Sequence, residues 1–105
     1  MVSEADVRAL ALSLPHAVEH PHFNRAAFKA RTIFATLGGG TVNLMLVPEQ
    51  AAMLIEADPE TFLSLGGWTK HGAVGVRLDR IDPDRLEMLM RDAWRKAAPK
   101  GATLD

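Results

Sequence analysis

Residues 33–47, Ile-Phe-Ala-Thr-Leu-Gly-Gly-Gly-Thr-Val-Asn-Leu-Met-Leu-Val, decide the fold. The runs 33–37 and 41–47 are rich in Thr, Val, Ile and Phe, the residue types that suit a pleated, half-buried surface. Gly38-Gly39-Gly40 stand between them, and glycine accepts the positive φ that a tight reversal needs. Together they predict an antiparallel hairpin. In the second run Val42, Leu44 and Leu46 point one way and Thr41, Asn43 and Met45 the other. One face is thus committed to a core and the opposite face is more open to water. The glycine triplet is a turn and not a phosphate loop, since it lacks the Walker lysine and strand text, not a helix, follows it.

Working outward, Ser3 and Asp6 form a helix-capping pair, and Val7, Leu10, Ala11 and Leu14 make one apolar stripe, so residues 3–14 read as a helix that Pro15 ends. Residues 17–23 read as extended or loop-like, and 26–30 as short and mixed. Downstream, Pro48 opens a second helix with Glu49 at its positive end and Ala51, Leu54 and Ile55 on its buried side. Residues 60–65 read as a short turn or helix running to Gly66-Gly67. Trp68–Lys70, the pair His71-Gly72 and residues 74–78 read as a second, shorter hairpin. Asp82-Pro83 caps the last helix, whose core face is Leu86, Leu89, Met90, Ala93, Trp94 and Ala97, and a frayed tail follows Pro99 and Gly101. The order helix–strands–helix–strands–helix predicts an α+β fold, an antiparallel β-sheet backed by helices, in a single domain over residues 1–105.

Composition bounds the function. The 48% apolar and 24% charged shares are those of an ordinary globular domain. Zero cysteines exclude disulfides, a thiol nucleophile and thiolate-ligated metals. No apolar run approaches the roughly 18 residues of a membrane span, and the polar, acidic start does not resemble a secretory signal. A cytoplasmic protein without a membrane partner is expected. Ser3, Ser13 and Ser64 lie in helix-like text without a nucleophile-elbow pattern, and His71 has no nearby acid to orient it as a base. His16, His20 and His22 lie beside Glu19, but with Pro15 and Pro21 in this segment no regular helix places His16 and His20 on one face, as a metal site would want. Neither an enzyme nor a cofactor is expected.

Charge distribution is the informative feature. The net charge is −1, so there is no global attraction to polyanions. Yet no Asp or Glu lies between His20 and Pro48, where Arg25, Lys29 and Arg31 stand, nor between Thr61 and Leu78, where Lys70 and Arg77 stand. These strand-bearing segments therefore carry +5 and the remainder of the chain −6. A basic sheet surface backed by acidic helices follows. Were all five cations on phosphates, log K would fall with log salt at a slope of about −4.5, roughly 500-fold between about 50 and 200 mM. Trp68 reads as closing the core edge, with stacking on a base as the alternative.

With these residues located, the chain resembles the MmcQ/YjbR-like family of small bacterial proteins. The resemblance is carried by D-V-R-A-L-A-L-S-L-P-H-A-V-E at 6–19, P-H-F-N-R-A-A-F-K at 21–29, I-F-A-T-L at 33–37, V-N-L at 42–44, P-E-Q at 48–50, G-G-W at 66–68, V-R-L-D at 76–79 and W-R-K-A-A-P-K at 94–100. It implies a CyaY-like (frataxin-like) α+β fold and a DNA-binding role without catalytic residues or cofactor. Carried over, it puts contacts at Lys29, Arg31 and the W-T-K-H loop at 68–71. Met45 stands where members often carry lysine, and Ala30-Arg31 where many have glycine. The expected nucleic-acid-binding set is Arg25, Lys29, Arg31, Trp68, Lys70, His71 and Arg77, with DNA the expected partner. Two alternatives are a protein-interaction or regulatory domain, and a small-anion pocket around His71, Trp68 and Arg77.

Overall fold

A computed structural model describes residues 2–104. Its elements in chain order are α1 (Glu4–Ser13), β1 (Val18–His22), β2 (Arg25–Lys29), β3 (Ile33–Gly38), β4 (Thr41–Met45), α2 (Pro48–Ala57), β5 (Phe62–Ser64), a 3₁₀ helix (Gly66–His71), β6 (Ala73–Arg77) and α3 (Pro83–Ala97). The strands form one antiparallel sheet in the order β1-β2-β3-β4-β6-β5. The hairpin at Gly39-Gly40 forms as the glycines require, with φ of 61° and 78°. The first helix is capped reciprocally: Ser3 Oγ accepts from the Asp6 amide at 3.0 Å, and the Ser3 amide donates to Asp6 Oδ2 at 3.1 Å. Asp82 caps α3 through its side chain, accepting from the Asp84 and Arg85 amides.

The helices lie on one face. Phe28, Ala35, Leu37, Val42, Leu44, Val74 and Val76 share one buried cluster with Val7 and Ala11 of α1, Ala51 and Leu54 of α2, and the inner face of α3. Fully burying each large apolar side chain is worth about 1.5–3 kcal/mol, so this layer supplies most of the stabilisation. Trp94 closes it: the side chain is 1% exposed, and its indole N–H donates to the Pro15 carbonyl at 2.8 Å. The other face carries Arg25, Thr36, Thr41, Asn43, Met45 and Arg77, by strand alternation from the pairings Thr41↔Arg77 and Thr36↔Asn43.

Three sequence expectations are corrected, and of the two readings of residues 17–23 the extended one holds. Residues 18–22 form a full strand, β1, although Pro21 removes one amide; β1 is a sheet edge, where a missing donor is tolerated. Residues 62–64 are a strand, not a turn or helix, because they pair with β6 at Phe62↔Val76 through Ser64↔Val74. Residues 66–71 form a 3₁₀ helix in place of the first arm of a hairpin, ending where Gly72 adopts φ 101°. The tail does not simply fray: Ala102 and Leu104 pack against the core.

Candidate nucleic-acid interface

The sheet has two ends. One carries the Gly39-Gly40 turn, and the other the β2–β3 turn and the start of β6. Strand register places the cations between them. Arg25 and Arg77 lie at the first end, because Gly38 pairs with Thr41 and Thr41 with Arg77. Lys29 ends β2 opposite Ile33, Arg31 follows in the turn, and Lys70 and His71 precede Ala73, which pairs with Met45. The five cations of the acid-free segments therefore do not form one patch. Four residues of extended chain, about 13 Å, separate Arg25 from Lys29.

At the second end, α3 holds both basic loops together. The Ala97 carbonyl accepts from the Arg31 amide at 3.0 Å and the Thr32 amide at 3.3 Å. The adjacent Lys96 extends its Nζ to the Leu46 carbonyl at 2.6 Å and the His71 carbonyl at 3.3 Å. Consecutive residues of one helical turn thus anchor the loop bearing Lys29 and Arg31 and the loop bearing Trp68, Lys70 and His71. The β2 and β6 backbones are three strand spacings apart, about 14 Å. The charge pattern of the chain does not single out Lys96. Its one signal in the sequence is a lysine in the last turn of a helix, where the side chain can reach free carbonyls.

Trp68 is 71% exposed, which corrects its reading as a core-edge residue. The 3₁₀ helix that replaces the expected strand turns it outward. That helix is not loose: the Leu65 amide donates to Thr69 Oγ1 at 2.8 Å, and the Gly72 amide to the Thr69 carbonyl at 3.0 Å. In a 3₁₀ helix residues three apart eclipse, so Trp68 and His71 share one side. A side chain on Gly72 would collide with the Leu46 carbonyl oxygen, which shows how tightly the loop returns onto the end of β4.

Arg25 is withdrawn from the contact set. Its guanidinium donates to Thr36 Oγ1, Gly38 O, Thr36 O, Thr41 O and Thr41 Oγ1, all within 3.3 Å. Burial lowers its pKa from the ordinary value, and the charge of Glu4 opposes that shift. It is a strap across the sheet, with all three guanidinium nitrogens engaged. Arg77 is exposed, but it borders a separate recess of about 500 Å³ with Glu4, Thr41 and Asp79. The grouping of Arg77 with Trp68 and His71 around one anion pocket is not the geometry found, since β6 itself separates them.

Ion pairing divides the arginines. Arg8, Arg80, Arg85, Arg91 and Arg95 lie within 4.0 Å of Glu19, Glu60, Asp58, Glu87 and Asp92 respectively. Among the described residues, no cation of the two acid-free segments makes such a pair. Lys29, Arg31, Lys70 and His71 are all exposed, and among the described residues none of these side chains pairs with a carboxylate. His20 and His22 line the open face of β1 opposite Ala27 and Arg25, while His16 lies in the turn before β1. Among the described residues, no group of three or more His, Cys, Asp or Glu could hold a metal ion. Unpaired cations flanking an exposed indole make a surface suited to binding an anionic, partly aromatic ligand.

The comparisons with known proteins bear on most of the chain. A family model described as YjbR matches residues 12–96. The fold is similar to the crystal structure of Deinococcus radiodurans protein DR2400, described with the domain DUF419. The TM-score is 0.82 and the identity 25%, over 98% of this chain and 83% of that one. No curated protein matches.

Proposed function

This chain belongs to the YjbR family, and from that premise we propose that it binds DNA weakly and largely without sequence preference, through the end of the sheet where Lys29, Arg31, Trp68, Lys70 and His71 gather. The observation that carries this reading is the division of ion pairs. Five arginines outside the acid-free segments have carboxylate partners, whereas Lys29, Arg31 and Lys70 have none among the described residues. A surface that exchanges counterions for phosphates needs cations of this uncommitted kind. With Arg25 used internally and Arg77 at the far end, three lysine and arginine charges remain. They correspond to a duplex salt slope of about −2.7, roughly a 40-fold loss between about 50 and 200 mM.

Fluorescence polarisation with a labelled duplex at low salt tests the reading. A Kd of about 10⁻⁶ to 10⁻⁴ M is expected, and the double change Lys29→Glu/Arg31→Glu removes the signal. No binding of either a duplex or a single strand at about 100 μM overturns it. A second reading, a protein-interaction or regulatory domain, draws on Phe23, which projects 95% exposed from the β1–β2 turn at φ 57°. Capture of one stoichiometric partner that survives nuclease would favour it.

A further inference from the structure

We infer that the preferred ligand at this surface is single-stranded nucleic acid, with the Trp68 indole stacked on an unpaired base; this rests on the nucleic-acid reading above and narrows its substrate class. A duplex offers phosphates to Lys29, Arg31 and Lys70, but its bases are already stacked on one another. An indole that is 71% exposed gains nothing from such a surface unless the helix is forced open. A single strand offers both parts at once: a backbone for the cations and free π-faces for the ring.

Three observations make Trp68 a platform and not an incidental surface residue. It is exposed on a loop that is internally tied, through Thr69 and Gly72, so stacking costs little ordering. His71 falls on the same side of the 3₁₀ helix and offers a second planar ring. The loop is pinned by Lys96 to the helical turn that pins the Arg31 loop, so ring and cations hold a fixed spacing. Phosphates of one extended strand can therefore run from the Lys29–Arg31 turn toward Lys70 while a base lies on the indole. Every base has a π-face, so the preference is for strandedness and not for sequence.

Fluorescein-labelled dodecathymidylate and a 12-base-pair duplex, titrated against wild type, Trp68→Ala and Trp68→Phe at one low salt concentration, test the inference. The single strand should bind wild type more tightly than the duplex. Trp68→Ala should cost the single strand roughly 5- to 150-fold, the range of one lost base stack, and the duplex less than about twofold. Trp68→Phe should recover part of the loss. Unlabelled dodecathymidylate should also quench the emission of exposed Trp68 in wild type, while Trp94, 1% exposed, stays unaffected. Duplex binding with equal single-strand affinity, equal losses on both probes, or polarisation binding without quenching would overturn this inference and leave the DNA-binding reading intact. Failure of both probes to bind would remove both.

Discussion

Arg25 Nη2 donates to the Thr41 carbonyl at 3.1 Å, reaching from β2 to a strand two places away in the sheet. The same guanidinium also holds Gly38 O at 2.8 Å, so one side chain ties β2, β3 and β4 at the end where the glycine turn would otherwise splay. Arg25→Met should lower stability by about 2 kcal/mol, since hydrogen bonds from a charged donor are lost and carbonyls are left short of partners. For a domain this size that is a fall in Tm of roughly 8–16 °C by thermal unfolding. DNA affinity should stay within about twofold of wild type, because the side chain is internal.

Lys70→Glu and Arg77→Glu separate the two ends of the sheet. Both reverse one unpaired charge in β6 or the loop leading to it. Lys70→Glu should weaken duplex binding by about an order of magnitude and flatten the log–log salt dependence by roughly one unit. Arg77→Glu should change neither beyond the error of a polarisation titration.

Two glycines with positive φ should differ in their tolerance of alanine. Gly39 has φ 61° and open space where a methyl would stand, whereas at Gly72, φ 101°, the methyl would overlap Leu46 O. Gly39→Ala should cost about 1 kcal/mol, the left-handed penalty alone. Gly72→Ala should cost about 3 kcal/mol or more, because backbone must move as well. Urea midpoints for the pair check the difference.

Trp94→Phe should cost about 1–2 kcal/mol, since the Pro15 carbonyl loses its indole donor and the smaller ring leaves space. Chemical denaturation measures the loss. The variant also leaves Trp68 as the single tryptophan, and its emission should be that of a water-exposed indole.

Acid should erode the first helix in a defined way. The Ser3 amide, then its hydroxyl, hold the Asp6 carboxyl below its ordinary value of 3.8. A depressed folded-state pKa stabilises the fold above that value, and the contribution disappears as pH falls through the lower folded value. Asp6→Asn should therefore flatten the decline of Tm between about pH 5 and 2.

The elements legible in the sequence are those with local signals. Ser3 and Asp82 cap helices through their own following amides, and Gly39-Gly40 turn because of their own φ freedom. The elements that escape a sequence reading are made by partners distant in the chain. Phe62-Leu63-Ser64 has no pattern of its own long enough to mark a strand, and only β6 makes it one. The His-Pro-His text of β1 hides a strand whose pairing comes from β2. The candidate surface is half legible. Missing carboxylates mark the right segments, but a charge count does not see carbonyl oxygens, so Arg25 reads as free although it is bound. Apolar character argues for burying Trp68, while a 3₁₀ helix opening on Gly66-Gly67 turns the ring outward.

The two margins of the sheet carry a last consequence. Proline interrupts the amide row of β1, and β5 offers only three residues of backbone. Neither border can template a neighbour strand well. Crowded copies of this molecule thus find poor edges on which to anneal into filaments.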